Sequence, residues 1–255
     1  MKNEGVAFES ESTSAAARTI MGDALRKADP VGARGVESET NWRRNYLGHF
    51  RRALEAGIGE APAAHSIAAE GLRSAHQQMR YGTAPLADAI SGTPLSQAFH
   101  TQTIKGDAQT ETELTLPYRG ERLRGKALLD QLDEWVTRGV ITVSCSEAVQ
   151  TVIDNPEWMR LEGDTVVVLG AGAEMGPYRA LMRWGATCVA LDLPRTDVQE
   201  RIREHAGQSA GRLHVPARIV TNGAADVGAD LVTELPAVAE WLDHIEGRLV
   251  LGNYC

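Results

Sequence analysis

Two glycines, a carboxylate inside their turn and a second carboxylate beyond the next helix are the residues of this sequence best placed to do chemistry. They lie in "DTVVVLGAGAEMGPYRALMRWGATCVALDLPR", residues 164 to 195, as Gly170, Gly172, Glu174 and Asp192. A turn without side chains lets backbone N–H groups reach an anion at a helix N-terminus, where the helix dipole is positive. The pyrophosphate of a dinucleotide needs that approach. An acidic residue at the end of the second strand then accepts hydrogen bonds from the adenosine ribose, and Asp192 stands there. Gly176 comes four residues after Gly172, one more than the strict G-x-G-x-x-G spacing, and serves close helix–strand contact instead. Glu174 repels a pyrophosphate unless a cation such as Arg179 or Arg195 offsets it.

The elements that must position these groups follow from patterning. "TVVVLG" is a continuous β-branched run, as in a strand buried on both faces, and "CVALDLP" is another. A helix of about ten residues between them completes a βαβ unit and implies a parallel sheet. Upstream, residues 1–39 are polar and small, with a helix over about 13–28 and uncertain order. Trp42, Tyr46, Phe50, Ala53, Leu54 and Ile58 share one face of a helix that Gly57 and Gly59 end. A second helix starts at Pro62 and runs through Ile67, Leu72 and Met79 to about Tyr81, before a Gly- and Pro-punctuated loop. "HTQTIKG" and "ETELTLPYRG" alternate polar with apolar residues around "DAQT", which predicts a β-hairpin. A helix over 126–138 presents Leu128, Leu129, Leu132, Trp135 and Val136 and stops at Gly139. "SCSE" predicts a capping box, with Ser144 at the N-cap and Glu147 three residues on. The expected organisation is a polar segment over 1–39, a mostly helical domain with a hairpin over 40–158, and a nucleotide-binding domain over 159–255, divided near residues 155–163. The expected class is α/β, a Rossmann-like parallel sheet in the C-terminal part joined to a mostly helical N-terminal region.

The segment "GADLVTELPAVAEWLDHIEGRLVLGNYC" extends the pattern: Asp230, a helix about Pro236–His244, a strand Arg248–Leu251 and Asn253. In this order, residues from about 160 to 255 resemble the cofactor-binding front half of short-chain dehydrogenases/reductases. In that family an Asp ends the third strand near the adenine, and the fourth strand runs into an Asn-rich turn beside the cofactor. The family's first turn has glycines where this sequence has Gly170, Glu174 and Gly176, so Glu174 is the departure. The resemblance implies NAD or NADP held by Gly170, Ala171, Gly172, Met175, Gly176, Asp192, Leu193, Asp230 and Asn253, acting on a small-molecule substrate. Asp192 favours NAD by repelling a 2′-phosphate, while Arg195 leaves NADP open. The family's chemistry uses a Ser and a Tyr-x-x-x-Lys pair downstream of the fourth strand. No such pair follows here, Tyr254 comes too early to serve, and no catalytic residue is assigned. A four-strand half-sheet leaves an apolar edge. The expected remedies are N-terminal elements, a second copy of the chain, or chain beyond Cys255, the last being favoured. "VVVLGAGAEMG" followed by "VALDLP" also resembles S-adenosylmethionine-dependent methyltransferases, although Val168 and Leu169 stand where those often carry an acidic residue. Asp192 would then hold the ribose, with the sulfonium near Gly172. A non-catalytic Rossmann-like interaction domain is the third reading.

Composition narrows the partners. The 255 residues carry a net charge of −8, so a phosphate backbone is repelled, and aromatics at 5% leave little for base stacking. No nucleic-acid partner is expected. No apolar run reaches membrane-spanning length, so no membrane is expected either. Cys145, Cys188 and Cys255 form no C-x-x-C, which suits a reducing, cytoplasmic setting. Four further groups have a functional reading beside an ordinary structural one. Cys145 near a helix N-terminus could be a nucleophile. His65 and His76 could share a helix face and a metal, though no carboxylate or Cys completes a set. Arg43, Arg44, Arg51 and Arg52 could meet an anion or an acidic partner. Tyr118, Arg119, Arg124 and Lys126 could line a substrate cleft.

Overall fold

The computed structural model describes residues 5–10, 12–92, 99–219 and 225–255. The chain is α/β and divides into two compact units, Met1–Leu95 with Val232–Ala239, and Ser96–Leu231 with Glu240–Cys255. The division expected near residues 155–163 therefore falls inside the second unit.

The first unit contains β1 (Val6–Phe8), α1 (Thr13–Leu25), α2 (Pro30–Glu37), α3 (Trp42–Ile58), α4 (Ala61–Gln78), β2 (Met79–Tyr81), β3 (Ala84–Pro85) and α5 (Leu86–Ser91). The polar N-terminal stretch thus holds the helix expected over about 13–28, ending at Leu25, and a second one. Each begins at a side-chain cap: Ser12 accepts the Ala15 N–H, and Asp29 accepts the Gly32 N–H at 2.9 Å with Pro30 at the first helical position. Their apolar faces give Leu25, Ala33 and Val36 to a core that Trp42 closes, with Met21, Ala53, Ala56 and Ile67 against it. Only some of the residues grouped on α3 are turned inward. Trp42 and Ala53 meet this core, whereas Tyr46, Phe50, Leu54 and Ile58 are exposed. Gly57 lies within α3 rather than ending it, and α4 stops at Gln78 because Met79–Tyr81 pairs antiparallel with Val6–Phe8.

The second unit contains β4 (His100–Lys105), β5 (Leu116–Tyr118), β6 (Glu121–Leu123), α6 (Gly125–Thr137), α7 (Val143–Asp154), β7 (Asp164–Leu169), α8 (Tyr178–Arg183), β8 (Thr187–Leu191), α9 (Thr196–Gly207), β9 (Arg212–Ile219), β10 (Ala225–Val227) and β11 (Arg248–Asn253). Another helix, α10 (Leu235–Leu242), is shared between the two units. The main sheet is mixed. β7 pairs parallel with β8 on one side and β11 on the other, and β8 pairs parallel with β9. The parallel strands therefore run β9-β8-β7-β11 across the sheet. β4 and β10 both join β9 antiparallel, and Ala217 faces His100 in one and Val227 in the other, so they take opposite edges. An N-terminal element does extend the sheet, as one of the expected remedies had it, but at β9. The β11 edge keeps Val250 and Leu251 exposed. The β-branched run of β7 is buried as patterned: Val167 and Val168 are fully covered, and Val168 joins Cys188, Leu213, Val215, Leu181 and Met182 in the core.

Several local expectations are corrected. The helix after the glycine turn has six residues, not about ten, because a run of turns occupies residues 170–177 before it. "HTQTIKG" does not pair with "ETELTLPYRG". β4 finds β9, a partner over a hundred residues away, while β5 and β6 form their own hairpin about Arg119 and Gly120, both at positive φ. The N-cap of α7 is Thr142, not Ser144, with its hydroxyl accepting the Cys145 N–H. Among the described residues no helix is long and apolar enough to cross a membrane.

Asp29 yields a pH-dependent test. A hydrogen bond from Arg52, then the Gly32 N–H, hold its carboxyl down at about 2. A depressed carboxylate contributes stability above its unfolded pKa, and that contribution is lost as pH falls through the folded value. Asp29→Ala should cost about 1 kcal/mol at neutral pH, as cap removals do. Urea titrations should show the gap from wild type closing between about pH 4 and pH 2; a gap unchanged at pH 2 would contradict this assignment.

Candidate functional site

The C-terminal ends of β7 and β8 bring the central residues of the sequence pattern together. Asp192 follows directly on β8, and its carboxylate accepts two backbone N–H groups: Gly172 onto Oδ2 at 2.7 Å and its neighbour Leu193 onto Oδ1 at 2.8 Å. A carboxylate that accepts N–H groups makes the stronger, charge-assisted kind of hydrogen bond. Each oxygen has used one lone-pair direction and keeps another. The turn itself is closed on backbone groups. Gly170 and Ala171 donate to the Leu191 carbonyl at 2.8 and 3.2 Å, Ala173 donates to Gly170 at 3.0 Å and Gly176 to Ala173 at 3.2 Å. Five N–H groups of this loop are thus engaged within the chain. The helix that follows starts only at Tyr178, behind Pro177, with no side-chain cap.

The two leading glycines have identifiable internal reasons. Gly170 has φ +81°, and a Cβ there would sit 2.9 Å from the Tyr254 carbonyl carbon and the Cys255 nitrogen. The chain leaving β11 crosses directly over it, with the Tyr254 N–H donating to the Leu169 carbonyl at 2.8 Å. Gly172 is pressed between Asp192 and Val198, whose atoms would stand 3.0 and 3.1 Å from a Cβ. Asn253 pairs with Leu169 and so lies beside the turn, where its Oδ1 accepts the Cys255 N–H at 3.1 Å. Glu174 and Leu193 are exposed, and Met175 almost completely so. Arg195 is bound to Asp197 by two hydrogen bonds rather than to Glu174, and Arg179 is exposed on α8. Asp230 does not end a third parallel strand, because that strand is β9 and Asp230 follows the antiparallel β10. It nonetheless comes within a residue of the site, since the Ala229 N–H donates to the Asp192 carbonyl at 3.0 Å.

Sequence reasoning missed two participants. Gln199, 2% exposed on α9, donates its amide to the carbonyls of Asp192 and Leu193 at 3.1 and 3.0 Å. Its place three residues inside an acidic, polar helix start gave no sign of burial. Tyr254 closes the turn from the far side, and its only trace in sequence was its closeness to Asn253.

The other candidates separate into ordinary roles. Arg124 stands at the N-cap of α6 without a side-chain cap hydrogen bond, while its neighbour Arg122 makes a two-pronged hydrogen bond to Glu111 at 3.0 Å on each arm and Arg183 reaches the same carboxylate at 3.2 Å. Tyr118 meets the edge of Trp135 with ring centres 5.0 Å apart, Arg119 stacks on Tyr118, and Lys126 pairs with Asp130, so this group ties a hairpin to its neighbours. His65 and His76 are both exposed on α4, and no three His, Cys, Asp or Glu groups among the described residues could hold a metal. Cys188 is buried and desolvation pushes its thiol up to about 12, whereas Cys145 and Cys255 are exposed. Burial, then the nearby Asp192 charge, also raise the Cys255 thiol. Against known proteins, no family model, no curated protein and no solved structure matches this chain.

Two measurements check this geometry. Gly170→Ala adds a Cβ at a positive φ against backbone and should lose more than about 1 kcal/mol in chemical denaturation. An unchanged midpoint would remove the crossing of Tyr254–Cys255 from the account. A disulfide reagent at pH 8 should titrate Cys145 and Cys255 in the folded protein and reach Cys188 only after unfolding.

Proposed function

We propose that residues 164–255 are a Rossmann-like unit that binds an adenosyl cofactor through Asp192, and that the cofactor is S-adenosylmethionine, making the protein a methyltransferase. The parallel order of third, second, first and fourth strands supports the Rossmann-like reading, and the two free lone-pair directions of Asp192 suit the two hydroxyls of a ribose. The observation that carries the choice of cofactor is the turn. A pyrophosphate needs unspent N–H groups at a helix N-terminus. Here five loop N–H groups are already bonded and the helix begins late. Glu174 adds a negative charge at the same turn, which disfavours a pyrophosphate and favours the sulfonium and ammonium of S-adenosylmethionine. Bound there, the cofactor supplies an electrophilic methyl group. Asp192 orients its ribose, and Glu174 and the surrounding carbonyls favour its positive charge.

The nicotinamide-dependent oxidoreductase is the second reading. It draws on the same ribose carboxylate and on Asn253 beside the first strand, and requires the loop to exchange internal hydrogen bonds for phosphate.

Melting temperature followed during titration with S-adenosylmethionine, NAD(H) and NADP(H) separates the readings. A ligand at a hundred times its dissociation constant adds about 2.7 kcal/mol. A shift with S-adenosylmethionine, lost in Asp192→Ala, is expected. A shift with NAD(H) alone would replace the methyltransferase by the oxidoreductase, and no shift with any of them would overturn both.

A further inference from the structure

The outer face of α3 departs from the usual distribution of side chains on a surface helix in one respect. Its inward residues are mostly small, with Ala53 and Ala56 against the core beside Trp42. Among its outward residues, which also include arginines and Glu55, runs a row of large apolar ones: Tyr46, Leu47, Phe50, Leu54 and Ile58 are 39%, 66%, 49%, 68% and 83% exposed. An apolar row of that length on a surface marks an interaction site. Tyr46 and Phe50 stand edge to face at 6.2 Å, and Trp42 stacks on His49 at 5.6 Å, so aromatic contacts hold the N-terminal half of the helix in place.

We propose that this face is where two copies of the chain associate, with their α3 helices antiparallel about a two-fold axis. Tyr46, Phe50, Leu54 and Ile58 recur every four residues and form one ridge along the helix, the kind that interdigitates in helix–helix crossings. The ridge is self-complementary under a two-fold. Phe50 meets Leu54 of the partner subunit, and Tyr46 meets Ile58 of the partner subunit, each contact occurring twice, as an isologous interface requires. Charge selects the same direction. Arg43 and Arg44 lie at the N-terminal end of α3 and Glu60 just beyond its C-terminal end, all three exposed, while between them Arg51 is paired with Glu55 and Arg52 with Asp29. An antiparallel pair sets Arg43, which shares the ridge, beside Glu60 of the partner subunit; a parallel pair would set arginines against arginines. A membrane surface is disfavoured. Residues 1–95 carry eleven Lys and Arg against eleven Asp and Glu, so they offer no net attraction to anionic lipid.

Light scattering during gel filtration of the full chain under reducing conditions tests this. The expected mass at micromolar concentration is twice 27.5 kDa. Leu54→Asp, at an exposed site, should leave the circular dichroism spectrum unchanged and weaken association by about thirtyfold or more, as loss of an anchor residue does. Arg43→Glu and Glu60→Arg should each weaken the dimer, and the double variant should restore it. A chain that is monomeric throughout would overturn the proposal, as would a dimer indifferent to Leu54→Asp. A dimer that the double variant does not restore would overturn the antiparallel arrangement. Sedimentation of the wild type with phosphatidylserine vesicles, lost in Leu54→Asp, would assign the face to lipid instead.

Discussion

Three residues at the end of the second parallel strand hold the candidate site together. The carbonyl of Leu191 fixes the start of the glycine turn, the carboxylate of Asp192 fixes its middle, and the carbonyls of Asp192 and Leu193 hold Gln199 and Ala229. Three segments, the turn after β7, the first turn of α9 and the chain leaving β10, are therefore anchored on one strand end. β8 can serve as that anchor because it is fully buried between β7 and β9, with Val189, Ala190 and Leu191 inaccessible to solvent. The order of dependence runs from the buried strand to its exposed carboxylate, and from there to the turn.

This hierarchy explains what was legible. β7, β8 and Asp192 could be read directly, because a continuous β-branched run has few alternatives to a strand covered on both faces. The length of α8 could not, since a turn-rich "AGAEMGP" and a helix of ordinary composition share the interval without a capping signal. The partner of β4 was illegible for a different reason. Alternation marks a strand but not its mate, and the nearby candidate lost to β9, which sits on the edge of the buried parallel sheet. On α3 the period marked a helix, but not which of the grouped residues turn inward. Periodicity groups residues on a face; whether that face turns inward depends on what the rest of the fold leaves uncovered. The position of Asp230 was misplaced because the return strand β10 intervenes between it and the third parallel strand.

The glycines show how a ligand signature and a packing requirement can coincide. Gly170 and Gly172 would be called for by a phosphate group, yet each already has a neighbour at about 3 Å inside the chain. A glycine pattern reports that something approaches the backbone; it does not say whether the visitor is a ligand, a carboxylate or the chain itself. Here the visitors are Tyr254–Cys255 and Asp192. That is why the chemistry of the ligand is better judged from spent N–H groups and local charge than from the spacing of glycines.

Gln199 sets the final constraint on the site. Its amide nitrogen serves two carbonyls, while its Oε1 is buried and has no hydrogen-bond partner in the structure. An unmet buried acceptor costs about 1–3 kcal/mol. Turning the amide over would satisfy nothing, because it would set an oxygen against the carbonyls of Asp192 and Leu193. The side chain therefore accepts one orphan atom to satisfy two backbone groups at the strand end. A Glu at this position would repel both carbonyls and bring a like charge toward Asp192, so the neutral amide spares that carboxylate a further repulsion at the tip of β8.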